Sequence, residues 1–183
     1  MFEYDPDKAS FSDRFTYSIA KAAYGKYPPH SAINYIWANK KQTQKIKQND
    51  IVLVGQLSNY ASNMIFQQAG ADIKTIPVDK NGLDVEYIKK YFEKGSIRSV
   101  YVCAHRDYPT IVTLSAERRL QLLQLAKEYG FSIIEDDYDY DFQFEGSAML
   151  PMASSDVDGM VIYLGKLGQS LFPSFQTGFV VAP

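Results

Sequence analysis

The sequence predicts an α/β fold in three layers, a mostly parallel sheet with helices on both faces. Two observations carry this. From about residue 50 onward, short runs rich in Val and Ile alternate with stretches of helical spacing. Each helical stretch is also bracketed by a capping residue or a glycine, so the chain repeats as strand, helix, strand. With 183 residues it has the length of one ordinary domain able to bury a core.

Taken in order, Ile51-Val52-Leu53-Val54 is an apolar run that reads as a buried strand. Residues 58–69 follow as a helix, with Ala61, Ile65 and Ala69 at helical spacing and Gly70 ending it. Ile73 to Pro77 is a second strand, Lys80-Asn81-Gly82 a turn, and Asp84 the cap of a helix reaching Phe92. Ser99 to Cys103 is a third strand. Ser115 opens a helix with Glu117 in its first turn, Leu120, Leu123 and Ala126 along one face, and Gly130 at its end. Phe131 to Ile134, Val161 to Leu164 and Phe179 to Ala182 complete six strands. Residues 1–49 are different. Phe11 to Tyr24 has helical character, Tyr27-Pro28-Pro29-His30 breaks it, and Lys40 to Asn49 is polar. The expected division is an N-terminal extension over 1–49 and one α/β domain over 50–183.

Composition narrows the function. Hydrophobic residues are 46% and charged residues 22%, as in a soluble globular protein. The net charge of −2 and the lack of a basic module argue against nucleic acid as a partner. Cys103 is the sole cysteine, which excludes an intramolecular disulfide and favours a reducing compartment. No apolar run reaches membrane-spanning length, and MFEYDPDKAS has no apolar signal core, so a cytoplasmic location away from membranes is expected.

In a parallel sheet, ligands sit beyond the carboxyl ends of the strands. The most informative such segment is Glu135-Asp136-Asp137-Tyr138-Asp139-Tyr140-Asp141-Phe142. Carboxylates are costly to bury without partners, so a cluster at a strand end points to something cationic: a divalent metal, a basic surface or a protonated pyridine nitrogen. On an extended chain, alternate residues face opposite ways, which disfavours a single metal cage. A solvated acidic loop is the plainer reading.

This stretch resembles the aminotransferase domain of MocR-type regulators, in which the large domain of a class I/II pyridoxal-phosphate-dependent aminotransferase (fold type I) is fused to a GntR-type DNA-binding domain. The resemblance implies pyridoxal 5'-phosphate as cofactor, with Asp136 pairing the pyridinium nitrogen and Tyr138 contacting the phenolic oxygen. An ionised carboxylate there keeps the ring protonated and able to withdraw electrons. Further segments agree in order. Tyr108-Pro109-Thr110, then Ser115-Ala116-Glu117-Arg118-Arg119, match the family's loop and helix, which brings Thr110 near the ring; Ile111 stands where glycine is usual. The family's ring-stacking aromatic aligns with Asn59, leaving Tyr60 either to stack from one place away or to pack at a helix start. His105 reads as an acid or base, or more plainly as a structural hydrogen-bonding residue.

The last matching segment is Gly165-Lys166-Leu167-Gly168-Gln169-Ser170-Leu171-Phe172-Pro173-Ser174-Phe175-Gln176-Thr177-Gly178. By resemblance Lys166, Gln169, Ser170 and Gln176 line the cofactor site. The family's covalently attached lysine is here Gln169, its phosphate-binding arginine is Gln176, and a small hydroxyl residue is Lys166. A carboxamide neither condenses with an aldehyde nor moves the proton that transamination requires. Replacing arginine by glutamine weakens phosphate binding by about 1–3 kcal/mol. The Lys166 ammonium can restore that charge or lie solvated at the surface. No Gly-Ser-Gln phosphate loop is found in residues 33–49. The resemblance covers residues 50–183, and the family's small C-terminal domain is expected to be absent. The implied function is an aminotransferase-family domain without transaminase activity, taking an amino acid or pyridoxal compound and forming a homodimer. The alternative is a ligand-sensing or dimerisation module of regulator origin.

Overall fold

The computed structural model describes residues 46–138, 149–167 and 177–183. The predicted helix over 11–24 and most of the 1–49 extension lie outside them. The described chain runs β1 (Ile51–Gly55), α1 (Tyr60–Gln68), β2 (Asp72–Ile76), β3 (Val78–Asp79), β4 (Gly82–Leu83), α2 (Val85–Tyr91), β5 (Ile97–Val102), α3 (Ala116–Tyr129), β6 (Ser132–Asp137), a short 3-10 helix (Met152–Ser155), β7 (Val161–Leu167) and β8 (Thr177–Val181).

Six strands form one sheet in the order β2-β1-β5-β6-β7-β8. All neighbours are parallel except β7 and β8, which run antiparallel with Gly165 opposite Phe179. Two cores sandwich the sheet. Phe66 of α1 packs with Val52, Val54, Tyr101 and Ile134 on one face. Ile88 of α2 and Leu122 and Leu125 of α3 pack with Leu53, Val100 and Ile133 on the other. These are the three layers the sequence predicts, and burying such aliphatic side chains contributes about 1.5–3 kcal/mol each.

Local signals explain the ends of the elements. Asp84 accepts from the N–H groups of Glu86 and Tyr87, and Ser115 accepts from that of Arg118, so each caps its helix. Gly130 closes α3 at φ 76°, a conformation that costs glycine little. Four details differ from the sequence reading. In α1 the buried residues are Ser62 and Phe66, with Ala61 exposed and Ile65 and Ala69 half-buried. In α3 they are Arg119, Leu122, Leu125 and Ala126, while Leu120 is exposed. The apolar positions of both helices are ambiguous by one step around the axis, and packing against the sheet chooses the register. The predicted 80–82 turn joins a two-residue hairpin, β3 with β4, too short to show as a pattern. Finally, β6 and β7 run three residues further than their apolar cores, carrying the acidic motif and Lys166 into the sheet.

Candidate functional site

The chain passes from β1 to β2 on one side of β1, then returns to place β5 on the other side. The strand order therefore reverses between β1 and β5, and a crevice opens beyond their carboxyl ends. Gly55, Val78, Tyr101, Cys103, Asp107 and Leu114 line a hollow at this point.

The acidic motif is strand rather than solvated loop up to Asp137. Glu135, Asp136 and Asp137 are only 0%, 7% and 2% exposed, which overturns the plainer reading for these residues. They alternate across the sheet as extended geometry requires. Asp136 faces the α1 side, where the Tyr101 hydroxyl donates to Oδ2 at 2.6 Å and the Ser62 hydroxyl donates to Tyr101 Oη at 3.0 Å. Burial and the nearby Asp136 carboxylate push the Tyr101 phenol well above its usual range, so it remains a donor. Burial likewise pushes the Cys103 thiol up, and its Sγ lies 3.5 Å from Tyr101 Oη, which makes it a packed thiol rather than a nucleophile.

Glu135 and Asp137 face the α3 side. Glu135 accepts the N–H groups of Met152 at 2.8 Å and Ala153 at 3.0 Å, at the start of the 3-10 helix. Its carboxyl is raised above the usual range, chiefly by burial, against the pull of those two N–H groups. Asp137 accepts from Tyr163 Oη at 2.9 Å and faces His105 Nδ1 at 3.0 Å. Arg119 donates to the carbonyls of Leu114, Leu150 and Ala104 at 2.9, 3.0 and 2.7 Å. Among the described residues, no group of His, Cys, Asp and Glu is arranged to hold a metal.

The other expected site residues fall as follows. Tyr138 is half-buried beside the α1-side core, and its hydroxyl donates to the Arg106 carbonyl at 3.0 Å. Thr110 donates to Asp107 Oδ2 at 2.7 Å, inside the tight loop after β5 that contains the cis Tyr108–Pro109 bond. Ile111 in this loop has φ 62°, the left-handed conformation that explains why a glycine suits the position. Tyr60 is the first residue of α1 and 74% exposed, with Asn59 as the helix cap. Lys166 pairs with Gly178 across β7 and β8. Because Leu164 pairs with Asp136, period-two geometry sets Lys166 on the Asp136 face, one step nearer the carboxyl edge. It is half-buried, and its ammonium makes no ion pair or hydrogen bond with another described residue. Gln169, Ser170 and Gln176 lie outside the described residues.

Sequence reasoning assigned no role to Tyr101, Ser62 or Arg119. The first two carry no motif, and only pairing of β5 with β6 and packing of α1 bring them to Asp136. Arg119 stood in a quoted motif, Glu117-Arg118-Arg119, but helix registration alone shows which arginine turns inward. His105 has both ring nitrogens engaged, in keeping with the structural reading of that residue.

The family model described as "Protein of unknown function (DUF3047)" matches residues 1–107. The "Probable rhizopine catabolism regulatory protein MocR" of Rhizobium meliloti is 35% identical over 63% of this chain and 22% of its own length. Aromatic-amino-acid aminotransferase 1 of Thermococcus litoralis is 29% identical over 75% of this chain and 34% of its own. The kynurenine aminotransferase of Pyrococcus horikoshii superposes with a TM-score of 0.76 at 24% identity, across 99% of this chain and 47% of that one. The chain thus spans between a fifth and about half of the length of these relatives. It belongs to the DUF3047 family by the match over its first 107 residues, its fold is that of the large domain of PLP-dependent aminotransferases, and its sequence is similar to MocR/GntR-type regulators.

Proposed function

We propose that this domain binds a pyridoxal compound without covalent attachment and does not transaminate. The observation that carries the reading is the buried Asp136 carboxylate at the carboxyl end of β6, which accepts from Tyr101, itself held by Ser62, on the α1 face. A buried carboxylate at a strand end suits a cationic ring nitrogen, so the residues present fit the ring of pyridoxal phosphate. Asp136 would hold that nitrogen, Tyr138 and Thr110 would border the ring, and Tyr60 would cover it from the start of α1. Lys166 would supply positive charge toward the phosphate, with Gln169, Ser170 and Gln176 as neutral neighbours. The cofactor, when bound, supplies an electron-withdrawing ring. The chain's own part is to keep that ring protonated through Asp136 and to hold Asp136 through Tyr101. With glutamine at 169, nothing at that position can move a proton between bound carbons.

The likeness to regulators supports a sensing role over a metabolic one. In that role an amino acid or pyridoxal compound binds, a second copy of the chain is the partner, and the location is cytoplasmic. Among the described residues no helix is long and apolar enough to cross a membrane.

Adding pyridoxal phosphate to the purified chain, recording its absorption spectrum and then reducing with borohydride tests this. The expected result is saturable binding without a mass adduct. An adduct on Lys166 would overturn the non-covalent reading, and no binding at millimolar ligand would overturn the ligand itself. Sedimentation with and without ligand tests self-association.

A further inference from the structure

The α3 side of β6 holds a feature that the cofactor reading does not use. His105 lies just beyond β5 with an acceptor at each ring nitrogen: the Asp137 carboxylate at Nδ1 and the Met149 carbonyl at Nε2. Neither acceptor can donate, so both contacts are hydrogen bonds only when both ring nitrogens carry hydrogen. A neutral imidazole satisfies one and sets a lone pair against the other.

The Met149 carbonyl begins a segment held to the sheet by main-chain hydrogen bonds and by the Met152 side chain, buried in the α3-side core. Arg119 holds the Leu150 carbonyl, and Glu135 holds the Met152 and Ala153 N–H groups. Among the described side chains that hydrogen-bond the main chain of 149–153, namely His105, Arg119 and Glu135, His105 is the one histidine. The charged groups acting on it are Asp137 from β6 and Arg119 from α3; behind them Tyr163 of β7 donates to Asp137, and Glu135 of β6 lies near Asp137 and Arg119.

We propose that His105 is a protonation-dependent latch, closed as the imidazolium, that fastens residues 149–153 to the carboxyl edge of β5 and β6. The hydrogen bond to Asp137 holds the imidazole above its ordinary value, against burial and the repulsion of Arg119. The sign follows from this direction. With the folded value above the unfolded one, the latch contributes in full below about pH 6.5 and is lost as pH rises through the folded midpoint. The inference stands whether or not a pyridoxal compound binds.

The chain has two histidines, so the His30→Gln variant of the full chain leaves His105 as the only imidazole to observe. Nitrogen NMR across pH 5–9 is expected to show both ring nitrogens protonated at neutral pH and a midpoint above about 6.5. The Leu150, Met152 and Ala153 amide shifts should move with the same midpoint. In Asp137→Asn the midpoint should fall by about one unit or more, the scale of losing a partnered carboxylate. A midpoint at or below the ordinary value, or amide shifts in 150–153 indifferent to it, would overturn the latch. Both readings come from the His30→Gln chain itself, so the test survives if Asp137→Asn fails to fold.

Discussion

Asp136 and its neighbours Glu135 and Asp137 share one strand, yet the two sides of β6 treat carboxylates differently. On the α3 side every charge is closed into contacts: Glu135 onto two N–H groups, Asp137 onto Tyr163 and His105, and Arg119 onto three carbonyls. On the α1 side Asp136 accepts from the Tyr101 hydroxyl, which in turn accepts from Ser62. The first arrangement compensates buried charge within the fold. The second sets a buried carboxylate against a tyrosine hydroxyl that itself reaches the hollow at the carboxyl ends of β1 and β5. Neighbours in sequence therefore divide between holding the fold and facing a ligand, and the pleat decides which does which.

The strongest way to break this comparison is at Arg119. Arg119→Met keeps the bulk but strips three carbonyls of their donor and removes the guanidinium near Glu135 and Asp137. The expected loss is about 3–5 kcal/mol in urea unfolding, the scale of breaking a buried charged network from one side. A loss below about 1 kcal/mol would mean the α3 side is not held by charge.

Glu135→Gln comes next. Only one amide oxygen remains to accept from Met152 and Ala153, and the new NH2 group faces an N–H donor. About 1–3 kcal/mol should be lost by the same measurement, the range for one buried polar group left unsatisfied. Burial raises the Glu135 carboxyl above its unfolded value, so the parent chain gains stability as pH falls through that window while the glutamine variant does not, and the loss should grow as pH falls toward the raised value. A loss constant with pH would detach the effect from the charge.

Asp136→Asn asks the opposite question. The asparagine oxygen still accepts from Tyr101, so stability should change by less than about 1 kcal/mol. Affinity for pyridoxal phosphate, measured by equilibrium dialysis, should fall roughly 10- to 100-fold, as expected for a charge-assisted hydrogen bond to the ring nitrogen. Unchanged affinity with intact folding would remove Asp136 from the site.

These variants also mark what the sequence could disclose. The six strands, the caps at Asp84 and Ser115 and the glycine at 130 were legible because each rests on local periodicity or on a conformation few residues adopt. The alternation of Glu135, Asp136 and Asp137 was legible once the segment was taken as extended. Their burial was not, because acidic residues look solvated until their partners are known, and those partners come from β5, α3, β7 and residues 149–153. Tyr101, Ser62 and Arg119 were illegible as site residues for the same reason. The helix faces were misread by one step, since Ala61 or Ser62, and Leu123 or Leu122, satisfy similar spacings until the sheet selects one.

The smallest expected effect concerns the loop that borders the crevice. Ile111 holds φ 62° with its side chain 69% exposed, between the Ile111 N–H bond to the Asp107 carbonyl and the Thr110 bond to the Asp107 carboxylate. A β-branched residue in this conformation carries about 1–2 kcal/mol of steric cost, and its exposed side chain recovers little of it through burial. Glycine removes the cost but adds freedom to the unfolded chain worth about 0.5–1 kcal/mol. Ile111→Gly should therefore stabilise the domain by about 0.5–1 kcal/mol, read as an upward shift of Tm. Ile111→Ala separates the causes, because it keeps the strained backbone and removes only the branched bulk, so it should recover less than glycine does. If alanine matches glycine, side-chain crowding rather than the backbone is what glycine relieves. If both destabilise, the Ile111 side chain has a partner that the loop geometry does not reveal, and the crevice side is held by apolar contact as firmly as the α3 side is by charge.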